Sequence, residues 1–552
     1  MTAMRGRISL MCLVFVLGSG DEALLQTRDV NVVRLVEQGV ATTGKMQIHR
    51  VFDLTVDDAI ERALDQNLDI AVERLNPQIE DLSIAQANSA FLPNLSSTFD
   101  LGKTISPART QLDGAGRLTQ ESVNTDAGVA DLGIEQAVRW AGGRYSVGWN
   151  NGRTETNNVF FSFNPSYTSN VALSYTQPLL RGFNIDTQRR QLLVSQINRD
   201  ISDIDLRETI ANTLADVRLA YWDLVYAQAS VDVQEQSLAL AEQLVRDNRA
   251  RVEIGTLAPI DIVQAQSEAA ARRQSLAEAQ QQLRTAELAL KQLIVGGTTD
   301  EMWTAEINPV ERPILSQDPI DVDAAIQAAL EARTDIERTR RQQDINDVTV
   351  RNLENDTLPA LDLVGSFRLQ GQGGTQLISP ILGGPAVIEI PGGYTDALDN
   401  LINADFPAWN VQLQLSYPLG QSAQKAAHAR ARLQLQQTRA QIKQIELQIA
   451  AEVTNAALQI ESVQQRIDAA RAARELAMEQ LAAEESKFEV GLSTNFFIVQ
   501  AQRDLATARD TELRAILDYQ NAHIEFERVQ RTSLSSAGIS IVGGGGGQPN
   551  IP

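Results

Sequence analysis

The residue types that most often carry catalysis or metal binding are few and scattered in this sequence. The three histidines, His49, His428 and His523, lie far apart in unrelated contexts, and Cys12 is the only cysteine. There is no His-Glu-x-x-His motif and no phosphate-binding loop, because the run Gly543 to Gly547 lacks the lysine and helix that must follow. The sequence therefore predicts no enzyme, no metal site and no cofactor.

The composition narrows the class of partner. The chain has 552 residues and a formal net charge of −22. Phosphate recognition requires a basic surface, so we expect no nucleic-acid partner. An acidic balance is also what keeps a large exposed surface soluble.

The first 20 residues are typical of a secretory signal peptide. Arg5 and Arg7 precede an apolar run, Ile8 to Leu17, and small residues follow it. Cys12 lies inside that run after Met11, which is not small, so we expect no lipid attachment there. No later apolar run approaches the ~20 residues that a membrane-spanning helix needs.

Two similar segments organise the rest of the chain. The segments Gly255 to Gln266 and Gly491 to Gln502 both end in Ile-Val-Gln-Ala-Gln, at an offset of 236 residues (491 − 255). Each glycine lies between two long helical patterns, and glycine readily adopts the positive φ that ends a helix. We therefore predict two long antiparallel helical hairpins.

The similarity extends beyond these two bends. Ala59-Ile60 recurs as Ala325-Ile326 at an offset of 266 (325 − 59), and Leu92-Pro93-Asn94-Leu95 aligns with Leu358 to Leu361 at the same offset. The sequence thus predicts two copies of one unit: helix, strand, loop, strand, long helix, bend, helix. The resulting division is a signal peptide (1–20), an N-terminal peripheral segment (21–53), repeat 1 (54–295), a connector (296–319), repeat 2 (320–531) and a flexible tail (532–552).

Helical periodicity dominates both copies. Residues 183–254 contain neither glycine nor proline and would form a helix on the order of 100 Å long. A seam with steps of four and three residues, typical of a coiled coil, lines it. Other helices are predicted at 57–88, 259–295, 421–489 and 493–530. The members of the seam are Ile210, Leu214, Val217, Tyr221 and Leu224.

Four segments alternate between apolar and polar residues, as strands do. They begin near Leu95, Val171, Leu361 and Trp409. One such strand alone would favour half-burial on a soluble core, but four between very long helices favour lipid as their partner. Four strands cannot close a barrel, so several chains would have to share them. A further hairpin at 132–151 could join that barrel or project from it, and we favour projection.

These features together resemble the outer-membrane factor family, the TolC-like channels of bacterial efflux and type I secretion. The resemblance is carried by Leu54 to Leu64, Leu92-Pro93, Gln177 to Gly182 and the two glycine bends. It implies a mainly α fold with membrane β: a two-fold repeat, a long periplasmic α-helical barrel, and an outer-membrane β-barrel of ~12 strands closed by three chains.

The resemblance also implies site residues at the bends. Adaptor-docking tips would be Val252, Gly255, Thr256, Leu257, Val490, Gly491, Leu492 and Ser493. A periplasmic gate would involve Asp261, Phe497 and Gln500, with Phe497 either sealing the pore or packing between helices.

The implied function is a passive exit duct in the cell outer membrane that extends into the periplasm. Its partners would be two further copies of the chain, outer-membrane lipid, a periplasmic adaptor and an inner-membrane pump of RND or ABC type. The alternative is a secreted or periplasmic coiled-coil scaffold without a pore.

Overall fold

The computed structural model describes residues 51–107, 122–313, 320–380, 386–420 and 422–531. The predicted signal peptide, the segment 21–50 and the predicted tail at 532–552 lie outside the described residues. Within the described ranges, no helix has the length and apolar character needed to cross a membrane.

The two copies follow each other along the chain. The first contains β1 (Val51–Leu54), α1 (Val56–Gln66), α2 (Leu68–Glu73), α3 (Asn76–Ser89), β2 (Asn94–Ser106), β3 (Val123–Ala137), β4 (Arg144–Thr156), β5 (Phe163–Pro178), α4 (Thr187–Glu253) and α5 (Pro259–Ile294). After α6 (Glu301–Thr304) and β6 (Glu306–Pro309), the second contains α7 (Val322–Ala332), α8 (Thr334–Asp356), β7 (Ala360–Ile378), β8 (Ile388–Ile390), α9 (Tyr394–Ile402), β9 (Phe406–Ser416), α10 (Ala423–Glu489) and α11 (Asn495–Gln530). The predicted two-fold repeat of a mainly helical chain is confirmed.

The short helices show how the copies diverge locally. Helices α1 and α7 each have 11 residues, and in both the residue after the helix, Asn67 or Arg333, has an extended backbone. The single helix predicted at 57–88 is therefore wrong, because it is interrupted at Asn67. Pro77 stands at the first turn of α3, where its missing N–H costs nothing. The second copy has Gln343 at that position, and α8 runs unbroken for 23 residues.

The long helices have nearly the predicted bounds. Helices α4 and α10 have 67 residues each, and α5 and α11 have 36 each. The whole predicted seam of α4, from Ile210 to Leu224, is buried. The apolar stripe is what anchors these helices, since propensity alone gives a helix little stability.

Contacts divide the chain into two compact units. Unit 1 consists of Met1–Val72, Asp216–Ile314 and Ala470–Leu517, and unit 2 consists of Glu73–Ala215, Leu315–Ala469 and Asp518–Pro552. Unit 1 contains a small parallel sheet that sequence reasoning missed: β1 pairs with β6, and the Tyr221 hydroxyl donates to the Leu54 carbonyl oxygen (3.0 Å). Part of the predicted connector is therefore ordered structure.

Unit 2 contains a single large sheet in which six long strands pair antiparallel in the order β2-β3-β4-β5-β7-β9. The short β8 pairs only with the end of β7. The extra hairpin, β3 and β4, is thus part of the sheet, and our expectation that it projects is wrong. We expected four such strands per chain, and the described residues form six long ones.

The two faces of this sheet differ in polarity. Residues that pair directly across strands share a face. One cross-strand row takes a large, exposed apolar side chain from every long strand: Leu95, Ile134, Val147, Leu173, Phe367 and Trp409. The neighbouring row, on the other face, is polar throughout: Asn94, Glu135, Ser146, Ser174, Ser366 and Asn410.

Candidate functional site

The two predicted bends lie in unit 1 and have the same backbone geometry. Gly255 has φ +79° and Gly491 has φ +76°, in the left-handed region that glycine tolerates best. Behind Gly255, the Thr256 amide donates to the Arg251 carbonyl oxygen (2.9 Å), and behind Gly491 the Leu492 amide donates to that of Lys487 (2.8 Å). Both bends are Schellman motifs, which satisfy the last carbonyl groups of α4 and α10.

The bends expose apolar side chains to solvent. Val490 and Leu492 are exposed at the second bend, together with Phe496 and Phe497 just beyond it. The first bend exposes Ile254. These large apolar side chains are not buried against the rest of the chain, and exposed apolar groups of this kind often mark an interaction surface.

The eight predicted docking residues divide by exposure. Gly255, Thr256, Val490, Gly491 and Leu492 are exposed, whereas Val252, Leu257 and Ser493 are half-buried. Leu257 packs against a core cluster that includes Leu244, Phe488 and Ile498. The Ser493 hydroxyl donates to the Glu484 carboxylate (2.7 Å). These two side chains therefore stabilise the conformation of the tip and contribute little to its exposed surface.

A buried amide network joins the two hairpins immediately behind the tips. Asn248 and Asn495 are both buried, and Asn248 Nδ2 donates to Asn495 Oδ1 (2.9 Å). Both side-chain amides also point donors at the Asp261 carbonyl oxygen, at 3.3 and 3.4 Å. This network fixes the start of α5 against the start of α11.

Arg251 links the tips a second time. Its guanidinium lies 4.4 Å from the centre of the Phe488 ring, and its Nη1 donates to the Phe488 carbonyl oxygen (3.2 Å). A cation at the carbonyl end of α10 is favourable both for that hydrogen bond and for the helix dipole.

A buried carboxylate lies about two turns along α5 from the predicted gate residue Asp261. Glu268 is paired with Arg272 one turn later (2.7 Å) and with Arg503 of α11 (3.0 Å from Arg503 Nε). Burial alone would raise the pKa of Glu268, but the hydrogen bonds from Arg503 and Arg272 outweigh it and hold that pKa below its ordinary value. The carboxylate is thus charged where the helices meet.

The predicted gate residues have different settings. Phe497 is exposed and meets Phe496 edge to face, with ring centres 5.6 Å apart. Gln500 is exposed, and its Nε2 donates to Asp504 Oδ1 (2.8 Å). Asp261 is half-buried in the first turn of α5. The roles predicted for these three residues in a gate stay predictions.

A shallow groove of about 160 Å³ lies beside the tips and is lined by acidic residues. Asp247, Glu485 and Glu489 contribute to its wall, next to Arg251 and Phe488. Burial, together with the nearby Glu489, raises the pKa of Glu485 above its ordinary value. The groove is acidic overall, because the carboxyl groups of Asp247, Glu485 and Glu489 outnumber the guanidinium of Arg251 in its lining.

Sequence reasoning missed Asn248, Asn495, Arg251 and Glu268. A usable signal exists for one of them: Leu244, Asn248 and Val252 recur every four residues, so Asn248 is a polar residue in an apolar seam. Polar residues at such positions commonly fix which helices pair and in which register.

The family model described as "Outer membrane efflux protein" matches residues 59–296 and 325–529, one match for each copy. The chain belongs to the outer membrane efflux protein family. It is therefore an outer-membrane channel protein that extends into the periplasm, as the TolC-like resemblance predicted.

Solved structures agree on the fold of these efflux channels. The chain is similar to the Campylobacter jejuni CmeC outer membrane channel, with 13% identity, a TM-score of 0.61, and coverage of 90% of this chain and 91% of that one. CusC, described as forming a transmembrane channel, is 15% identical with a TM-score of 0.62, and the match covers 89% of this chain and 95% of CusC. The Vibrio cholerae outer membrane protein VceC is 14% identical with a TM-score of 0.60, and the match covers 86% of this chain and 95% of VceC. No curated protein sequence matches the chain.

Proposed function

We propose that three copies of this efflux-family chain form a channel-tunnel that acts as a passive exit duct. In this proposal the sheets of three chains pool into one β-barrel in the outer membrane, and the long helices form an α-helical barrel in the periplasm. The duct is not an enzyme. An inner-membrane pump of RND or ABC type supplies the energy, in a tripartite efflux or a type I secretion system.

The observation that carries this proposal is the two-faced sheet. One row of six strand residues is apolar and exposed, and the adjacent row on the other face is polar. In one chain both faces meet solvent, which would leave six large apolar side chains unburied. A wall with lipid outside and water inside matches each face to its solvent.

The tips support docking to a periplasmic adaptor. Val490 and Leu492 offer exposed apolar area, and the network around Asn248 holds both bends in one arrangement. A preorganised surface loses less entropy on binding. The acidic groove beside the tips favours an adaptor that presents a basic side chain.

The experiment that tests the duct is reconstitution. Purified protein is expected to run as a trimer in detergent and to form ion-conducting pores in planar lipid bilayers. A folded protein that stays monomeric and water-soluble without detergent would instead support the alternative, a periplasmic coiled-coil scaffold without a pore.

The gate is tested within the same assay. Phe497→Ala should raise the single-channel conductance, because it removes a phenyl group that we propose narrows the pore. Phe496→Ala is a matched control, since Phe496 is the adjacent residue and is equally exposed (55% against 54%). If both variants conduct like the unchanged protein, Phe497 does not seal the pore.

A further inference from the structure

The extra hairpin in the first copy changes the size of the proposed barrel. It enters the sheet between β2 and β5 and pairs with them over most of its length. Its strands alternate up and down in step with their neighbours, so each chain offers six antiparallel strands in place of four.

The two outer strands of the sheet have free edges among the described residues. Among the strands of the described ranges, β2 pairs only with β3, and β9 pairs only with β7. These strands have 13 and 11 residues, so each leaves a long row of unpaired backbone groups. In a bilayer every such group must find a partner, and an open edge is not tolerated there.

The edge of a second copy of this chain fits that requirement. The five pairings from β2 to β9 are all antiparallel, so β9 runs opposite to β2. Strand β9 of one chain can therefore pair antiparallel with β2 of the next and continue the alternation. We propose that three chains, each giving six strands, close an eighteen-stranded barrel.

The inserted hairpin carries the face pattern that a barrel wall needs. On β4, Val147 belongs to the apolar row and Ser146 to the polar row, as Val411 and Asn410 of β9 lie on the apolar and polar faces. On β3, Ile134 and Glu135 divide in the same way. A hairpin standing in water would have no reason to match the faces of both neighbouring strands.

The turn of the hairpin is also tied to the end of the sheet from which the helices continue. Arg139 donates to the Asn88 side chain of α3, and Gln136 Nε2 donates to the Phe91 carbonyl oxygen (2.8 Å). Gln177, at the end of β5, donates to the Ala141 carbonyl oxygen (2.9 Å). The turn between β3 and β4 therefore lies at the same end of the sheet as α3 and the end of β5.

The consequence is a wider outer opening. Barrel diameter grows roughly in proportion to strand number, so eighteen strands give about 1.5 times the diameter of a twelve-stranded barrel. Natural barrels of 16–18 strands leave an aqueous channel. The outer end of this duct would then not select cargo by size.

Single-cysteine labelling in lipid tests whether the hairpin lies in the wall. Ser146→Cys and Val147→Cys are compared, with Asn410→Cys and Val411→Cys as the reference pair on β9. Cys12, the only native cysteine, lies in the predicted signal peptide. In trimers reconstituted in vesicles permeabilised to a water-soluble maleimide, Ser146→Cys and Asn410→Cys should react, and Val147→Cys and Val411→Cys should be protected.

The outcomes separate this inference from the proposed function on which it rests. Alternating protection on β9 with equal reactivity at residues 146 and 147 overturns the inference and leaves the duct intact. Equal reactivity in both pairs overturns the lipid wall, and with it the duct.

Direct strand counting provides the second test. An electron cryomicroscopy map of the trimer should show eighteen strands, and a map with twelve overturns the proposal. A variant with residues 107–162 replaced by Asn-Gly joins β2 to β5 as a simple hairpin, as β7 and β9 are related in the second copy. Its barrel should narrow about 1.5-fold. If that variant does not fold, the count for the unchanged protein decides alone.

Discussion

The two tips share a sequence and a backbone but not an environment. Both end in a Schellman motif, and both are followed by Ile-Val-Gln-Ala-Gln. Val499 of the second tip is 4% exposed, whereas Val263, at the same position in the first, is 57% exposed. The shared residues determine the local backbone conformation, and packing between the two hairpins determines which side chains are buried.

The polar residues differ in the same way. Glu268 is buried between two arginines, while Asp504, its counterpart at the offset of 236, is exposed. Asn495 is buried at the start of α11, where the first copy has Pro259 at the start of α5. The start of α11 is thus more deeply buried than the start of α5 at equivalent positions. We expect substitutions at equivalent positions to differ in cost wherever burial differs.

The largest difference is expected at the buried carboxylate. Glu268→Gln removes a charge from between two arginines and should lower the local stability of the tip by about 2–3 kcal/mol. This loss is smaller than that expected for a fully buried ion pair, because the Arg503 side chain is half-exposed. Asp504→Asn should cost less than about 0.5 kcal/mol, since exposed sites are tolerant. Hydrogen exchange of α5 amides measures the first loss, and that of α11 amides measures the second.

The same carboxylate gives a pH dependence with a defined sign. Its pKa is lowered in the folded protein, so its contribution to stability is complete above the ordinary glutamate pKa and is lost as the pH falls through the folded value. Exchange protection of α5 should therefore fall on acidification below the ordinary range, and less so in Glu268→Gln. Equal acid sensitivity in both proteins would show that Glu268 is not the responsible group.

The second difference lies in the amide network. Asn248→Ala removes donors to Asn495 and to the Asp261 carbonyl oxygen, and should cost about 1–2 kcal/mol of local stability. The loss is moderated because Asn248 Oδ1 has no partner within the described ranges. Arg249→Ala, at the neighbouring exposed position of α4, is the control.

A double-mutant cycle sharpens this prediction. Asn248→Ala and Asn495→Ala should be less than additive by hydrogen exchange at the tips, because each removes the same bond. Full additivity would mean that the two amides do not act on each other.

These cases show what the sequence could and could not predict. The bounds of α4, α5, α10 and α11 follow from long runs without internal glycine or proline that Gly255 and Gly491 separate, and all four were predicted to within a few residues. The two-fold repeat followed from matching residues at fixed offsets, and the family followed from the resemblance of these motifs to those of outer-membrane factors. Each of these properties is local or periodic.

The errors concern contacts between residues distant in sequence. The alternation in β3 and β4 was visible, but only the pairing with β2 and β5 shows that they belong to the sheet. The pairing of β1 with β6 joins residues about 255 positions apart and has no short-range signature. The burial of Glu268 depends on Arg503, which no local pattern connects to it.

The third prediction concerns what the tips have in common. Gly255→Ala and Gly491→Ala should each cost about 1 kcal/mol, because both glycines have positive φ, which is unfavourable for residues with a Cβ. Nothing lies within 4 Å of a Cβ built at either position, so sterics with neighbours should not contribute. Asparagine, which tolerates this conformation better, should cost less at both sites.

The outcome of this pair tests the comparison itself. Equal losses of stability at Gly255 and Gly491 would mean that backbone conformation alone sets the cost at both bends. A loss at one site more than twice that at the other would show that packing around the tips also strains the backbone.

The smallest effect on stability is expected at the exposed apolar surface of the second tip. Leu492→Thr replaces an 80% exposed side chain with the residue that the first copy has at Thr256, and should change stability by less than about 0.5 kcal/mol. In the proposed function it should nevertheless weaken adaptor docking, because it removes apolar contact area at the tip.

The measurement is cysteine cross-linking to the adaptor in cells, together with channel-dependent efflux. Leu476→Thr, an exposed leucine on α10 away from the bend, is the matched control. Equal losses in both variants would trace the defect to general surface polarity, and no loss in either would remove Leu492 from the docking surface.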